Sequence, residues 1–177
     1  GKEQDFFVEV ANLNGYHNKF LKGFYFRCQK QYPQALKFYN MALDESTGID
    51  FAYVAKAKHE KVITLMCMDN YYEAHSLAKE NYKRDPKNTY HIDAYFRCHV
   101  REKEADMSTL NELIKAMDDS YDSRKDILVP TYRAEIEYRV KHDIPQSLNE
   151  LELIINSNRN QDLSYTIKLY KEVCYKQ

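Results

Sequence analysis

The chain has 177 residues with 26 Lys and Arg against 27 Asp and Glu, a formal net charge of −1. That balance gives no general drive toward nucleic acid or an anionic membrane. The longest apolar run, Val62 to Met68, contains Thr64 and is far too short to span a bilayer. Four Gly and four Pro supply too few turn formers for an all-β chain, so the composition points to helices with a single core. Sixteen Tyr and no Trp suit a thin stack of helices, where a ring can pack while its hydroxyl stays wet.

Residues 3–13 read as a first helix, stopped by Asn14-Gly15. The second runs from about Tyr16 to Gln31 and sets Phe20, Phe24 and Phe26 among polar residues at helical spacing. After the Tyr32-Pro33 elbow a third helix carries Ala35, Leu36, Tyr39, Ala42 and Leu43, with Pro33 in the first turn where its missing N–H is not needed. Ser46–Asp50 is a break. A fourth helix follows from about Phe51 to Met68. Its partner carries Tyr71, Ala74, Leu77, Ala78 and Tyr82, and Asp85-Pro86 closes it.

A third pair spans Tyr90 to about Lys103 and Met107 to about Ser120, joined by the polar connector Glu102–Asp106. A fourth spans about Arg124 to His142 and Pro145 to about Asn158, with Leu148, Leu151, Ile154 and Ile155 as its stripe. A last helix, about Leu163 to Tyr175, has the polar back of an end cap. Each of Pro33, Pro86, Pro130 and Pro145 is expected at a helix start or in a loop. No Ser/Gly linker divides the chain, which reads as one domain. Gly1-Lys2-Glu3-Gln4 lacks Met and an apolar signal core, so the start reads as the cut edge of a longer protein. Cys28, Cys67, Cys98 and Cys174 lie far apart without CxxC spacing, which fits a reducing, cytoplasmic setting.

One elbow pattern recurs. Gln31-Tyr-Pro-Gln-Ala-Leu36, Asn70-Tyr-Tyr-Glu-Ala-His75 and Asp143-Ile-Pro-Gln-Ser-Leu148 each follow one helical run and open another. A helical hairpin cannot bury its apolar face alone and must stack on neighbours. With Gly23, Phe26, Tyr32, Ala35, Tyr39 and Ala42-Leu43 in the first unit, the chain resembles the tetratricopeptide repeat, a helix–turn–helix of roughly 34 residues. The second unit keeps Tyr71, Ala74 and Asp85-Pro86 but has Val62 and Ala78 in the Gly and aromatic places; the third puts Leu110 in the small-residue place, and the fourth puts Ser147 there. The repeats are set at about 16–46, 50–85, 88–121 and 124–158, with a cap at 162–176. The resemblance implies an all-α, right-handed α-α superhelix of about four hairpins plus terminal helices. In it the first helix of each hairpin lines a concave groove that holds a peptide or partner domain.

On that groove the sequence places Arg27, Arg97 and Arg139, with Phe20, Phe24, His59, Tyr90 and Tyr132 alongside; setting the third unit by Asp85-Pro86 instead keeps Arg97 inward but not Tyr90. Arginines among aromatics suit a peptide bearing carboxylates and an apolar anchor. The competing expectation is that each Arg pairs with Glu or Asp of an adjacent helix. Leu21 and Phe24 fall where chaperone-binding members of the family carry Lys and Asn, so chaperone-tail binding is not expected. Cys98, His99 and His91, or His59 with Cys67, do not make the four-ligand spacing of structural zinc. No metal or other cofactor is expected. No Cys or His has a fixed base and orienting carboxylate and no phosphate-cradling Gly loop occurs, so the chain is not read as an enzyme. Lys56, Lys58, Lys61, Lys79, Lys83 and Arg84 are interrupted by Glu60 and Glu80, which disfavours nucleic acid. Asp118, Asp119, Asp122 and Asp126 form an acidic patch open to solvent or a basic partner.

The expected function is therefore a non-catalytic protein- or peptide-binding module within a larger cytoplasmic regulatory protein. Repeats of this kind look like the sensor halves of bacterial regulators or signal-transducing NTPases. The alternative is a self-assembly or subunit-contact segment, with Phe6, Phe7 and Val8 packed on a partner.

Overall fold

A computed structural model describes residues 2–177, the side chain of Glu3 apart. Among these residues there are ten α-helices and no strand. The first five are α1 (Lys2–Val10), α2 (Gly15–Cys28), α3 (Tyr32–Asp44), α4 (Phe51–Cys67) and α5 (Tyr71–Arg84). Then come α6 (Thr89–His99), α7 (Met107–Asp118), α8 (Lys125–Arg139), α9 (Ile144–Ser157) and α10 (Ser164–Cys174). Contacts divide the chain into two compact units, the first through Ala94 and the second from Tyr95, with the boundary inside α6.

The recurring sequence elbows are recurring backbone. The residue before each, Lys30, Asp69 and His142, adopts the left-handed conformation with φ of 58°, 58° and 59°. Non-Gly residues seldom do so. Each next N–H then reaches back to close the preceding helix: Gln31 N donates to Phe26 O (2.8 Å), Asn70 N to Leu65 O (3.0 Å) and Asp143 N to Glu137 O (2.8 Å). The following helix starts at once, its N-terminus capped by the side chain of Asn70 in α5 and of Asp143 in α9. The small residue four places further on, Ala35, Ala74 or Ser147, is fully buried. Ser147 satisfies its hydroxyl there by donating to Ala134 O at 2.8 Å. Small residues at this point let the two helices of a hairpin approach.

In the first unit α2 packs on α3, α3 on α4 and α4 on α5, and α2 also meets α4. Its interior includes Tyr39, Val62 and Leu65, all essentially without solvent contact. Each contributes about 1.5–3 kcal/mol by burial. In the second unit α7 packs on α8, α8 on α9 and α9 on α10, and α8 also meets α10. Leu148, Leu151, Ile154, Leu169 and Val173 form its core with Ala134. Thr166, Leu169 and Val173 are the buried face of α10, and Lys168 and Lys171 lie on its exposed back.

Four local expectations are corrected. Helix α1 stops at Val10, and Asn14 caps the start of α2 instead of following the end of α1: its side chain accepts from His17 N at 2.9 Å. Gly15 is accordingly the first residue of α2, where a Cβ would collide with the Glu45 carboxylate. Helix α2 ends at Cys28, three residues early, because Lys30 turns left-handed. Helices α6 and α8 also end short of their expected limits, at His99 and Arg139. Pro130 lies inside α8, leaving the Asp126 carbonyl without its helical N–H.

Candidate functional site

In the first unit, Phe20, Phe24 and Arg27 stand on α2 at i, i+4 and i+7 and share one face of the helix. Phe24 is 40% exposed, and the Arg27 guanidinium sits 5.1 Å from its ring centroid. Lys56 of α4 lies 5.8 Å from the centroid of the half-buried Phe20. Cations over aromatic faces contribute about 0.5–1 kcal/mol where exposed. Arg27 also reaches across to α4, its Nε 2.8 Å from Glu60 Oε2, a close ion pair off the hydrogen-bond line. Burial alone would lower the Arg27 pKa, but the Glu60 carboxylate outweighs it and holds the charge more firmly than usual.

Below this strip lies a buried polar cluster. His59 Nε2 is 2.6 Å from Asp93 Oδ2, and His59 Nδ1 is 3.9 Å from Glu60 Oε1. Tyr90 sets its ring against the His59 imidazole, with centroids 5.6 Å apart. His59 is therefore a buried residue bonded inside the first unit and does not line an open surface. Its partner Asp93 is 34 positions away in sequence, beyond the reach of any periodicity argument.

The second unit holds the other predicted residues in a denser network. Arg139 donates from Nε to Glu135 Oε1 (2.8 Å) and from Nη2 to both oxygens of Glu172 on α10 (2.8 and 2.9 Å). Arg101 adds a bond to Glu172 at 3.3 Å. The buried Glu135 carboxylate also accepts from the Tyr165 hydroxyl. Arg97 lies face-on to Tyr165, 3.8 Å from its centroid. Although half-burial pushes the Glu172 pKa up, Arg139 and Arg101 outweigh it and hold the carboxyl below its usual range. Tyr132 is fully buried and stacked on Phe96 at 4.0 Å, a core ring and not a groove lining.

Comparison with protein-family models, with curated proteins and with solved structures finds no match to this chain. The tetratricopeptide resemblance thus stands on the elbow and its small-residue place alone. Within the chain the register is consistent. Arg27 precedes Lys30, and Arg139 precedes His142, by the same three residues, and each arginine ties its helix to the next-but-one helix in the chain.

Among the described residues no group of three His, Cys, Asp or Glu side chains converges to hold a metal ion. His99 Nε2 accepts from Asp106 N (3.1 Å) and so helps fix the loop before α7. None of the four cysteines forms a disulfide among the described residues. No helix among the described residues is long and apolar enough to cross a membrane. Arg84 pairs with Glu80 in the basic stretch. In the acidic patch Asp119 pairs with Lys115, and Asp122 with Arg124. At the start of the chain Phe6 stacks on Tyr25 (5.0 Å) and Phe7 meets Tyr25 and Phe26, so these rings pack on α2, while Val8 stays exposed.

Proposed function

We propose that the chain is a non-catalytic, tetratricopeptide-like helical repeat module that binds a protein or peptide segment carrying carboxylates and an apolar anchor. It would serve as the sensing or scaffolding part of a larger cytoplasmic regulatory protein. The observation that carries this reading is the α2–α4 strip: an exposed Phe24 under the Arg27 guanidinium, next to Phe20 under Lys56. Such a strip offers an apolar anchor point flanked by cations able to meet carboxylates. Arg27 is committed to Glu60, so Lys56 and the two rings carry most of the recognition, with Arg27 as a neighbour.

The test is fluorescence anisotropy with labelled acidic peptides that contain one aromatic residue. Phe24→Ala with Lys56→Ala should weaken binding by at least about tenfold, near 1.4 kcal/mol, while the melting temperature holds. Unchanged binding removes the strip from the account. A second reading, self-assembly or subunit contact, is favoured by the exposed Leu153, Ile167 and Tyr175 of the second unit. Sedimentation of Leu153→Lys with Ile167→Lys separates the two, because only an assembling chain changes mass.

A further inference from the structure

We propose that His59 is a pH-operated latch between α4 and the first turns of α6, an imidazolium gripped between two carboxylates and released as the pH rises. A neutral imidazole has one N–H and one lone pair, whereas the imidazolium has two N–H groups. His59 faces a carboxylate oxygen on each side: Asp93 at 2.6 Å from Nε2, and Glu60 at 3.9 Å from Nδ1. A neutral ring serving Asp93 would turn its Nδ1 lone pair toward the Glu60 oxygen. Only the protonated ring presents a proton to both. Asp93 has no solvent contact and His59 is only 7% exposed, so water is poorly placed to take over either role.

The surroundings favour the same state. Helix α4 supplies Glu60, and α6 supplies Asp93, His91 and the Tyr90 ring. Arg27 of α2 and Tyr39 of α3 reach the cluster through Glu60. Lys58 of α4, and Asp85 at the end of α5, act on His91. Burial works against charge on His59, yet the hydrogen bond to Asp93 and the nearby Glu60 carboxylate outweigh it and raise its pKa. His91, two residues before Asp93, has no such carboxylate grip, and burial drops its pKa to about 4. It stays neutral while His59 is charged.

The sign follows from linkage. A histidine whose folded pKa is raised contributes its full stabilisation below the ordinary value of about 6.5, and loses it as the pH climbs through the folded value. The latch is thus closed below about pH 6.5, while Asp93 and Glu60 stay ionised, and opens as the pH climbs through the raised folded value. What opens is the α4–α6 contact at residues 89–94.

The decisive experiment is a long-range ¹⁵N correlation spectrum of the imidazoles in the whole chain, followed from about pH 6 to about pH 10. Both His59 nitrogens should carry protons at about pH 6. Loss of one should coincide with lost hydrogen-exchange protection at residues 89–94, with α5 amides as the reference. His59→Gln, which keeps a donor but cannot titrate, should flatten the fall in urea midpoint over that range. A bare His59 nitrogen at about pH 6 overturns the proposal, as do parallel pH profiles for the wild type and the Gln variant. Should the Gln variant fail to fold, the wild-type ring spectrum decides alone.

Discussion

The two units place an arginine at the same distance before the same left-handed elbow and use it differently. In the first unit Arg27 approaches Glu60 through one off-line contact and leaves its plane partly over an exposed phenylalanine. In the second, Arg139 makes three aligned bonds to two carboxylates, one of them deeply buried. The neighbouring aromatic place differs in the same sense: Phe20 is half-buried, whereas Tyr132 is sealed between Phe96 and the α10 residue Tyr165. One repeated position can therefore be closed over or left partly open, depending on whether another helix of its own unit covers it. The second unit spends its arginine on closure, and the first keeps part of the strip open.

The comparison can be broken most sharply at Arg139. Arg139→Met leaves the buried Glu135 carboxylate without its cation, so stability in urea should fall by about 3–5 kcal/mol. Glu135→Met in that background should restore part of the loss, since the buried charge goes too. Arg27→Met, at the equivalent place, should cost less, about 1.5–3 kcal/mol, because its approach to Glu60 is off the hydrogen-bond line and its side chain is a quarter exposed. Equal losses at the two sites would erase the distinction between the units.

Acid titration sharpens it further. The lowered Glu172 carboxyl contributes stability that is present above about pH 4.5 and lost as the pH falls through its folded value. Glu172→Gln should flatten the acid limb of the urea midpoint. The smallest effect is expected where the units agree. Lys30→Gly and His142→Gly remove the left-handed penalty of a side chain, and should each stabilise by about 0.5–1 kcal/mol. A destabilisation at either site would contradict the shared elbow geometry.

Ten helices were legible in the sequence from apolar residues at helical spacing and from elbows that carry Pro, Asn or Asp, three of them with a small residue four places on. Helix ends were less so. Asn14-Gly15 fits a stop as well as a start, and the bond from His17 N to the Asn14 side chain shows which applies. The face of each arginine could be inferred from period, but its partner could not. Glu60 reads as an interruption of a lysine run, and Glu172 as one polar position among several on α10. The His59–Asp93 bond was out of sight for the same reason: periodicity orders one helix and says nothing of which residue faces it from the next. A buried His one position before Glu was the available hint.

The double-mutant cycle of Arg139 and Glu172 tests the closure role most directly. Removing each singly and both together should reveal a coupling of about 1.5–3 kcal/mol between α8 and α10. Losses that add to within about 0.5 kcal/mol would mean that the arginine does not hold the second unit shut, and the contrast between the units would fall with it.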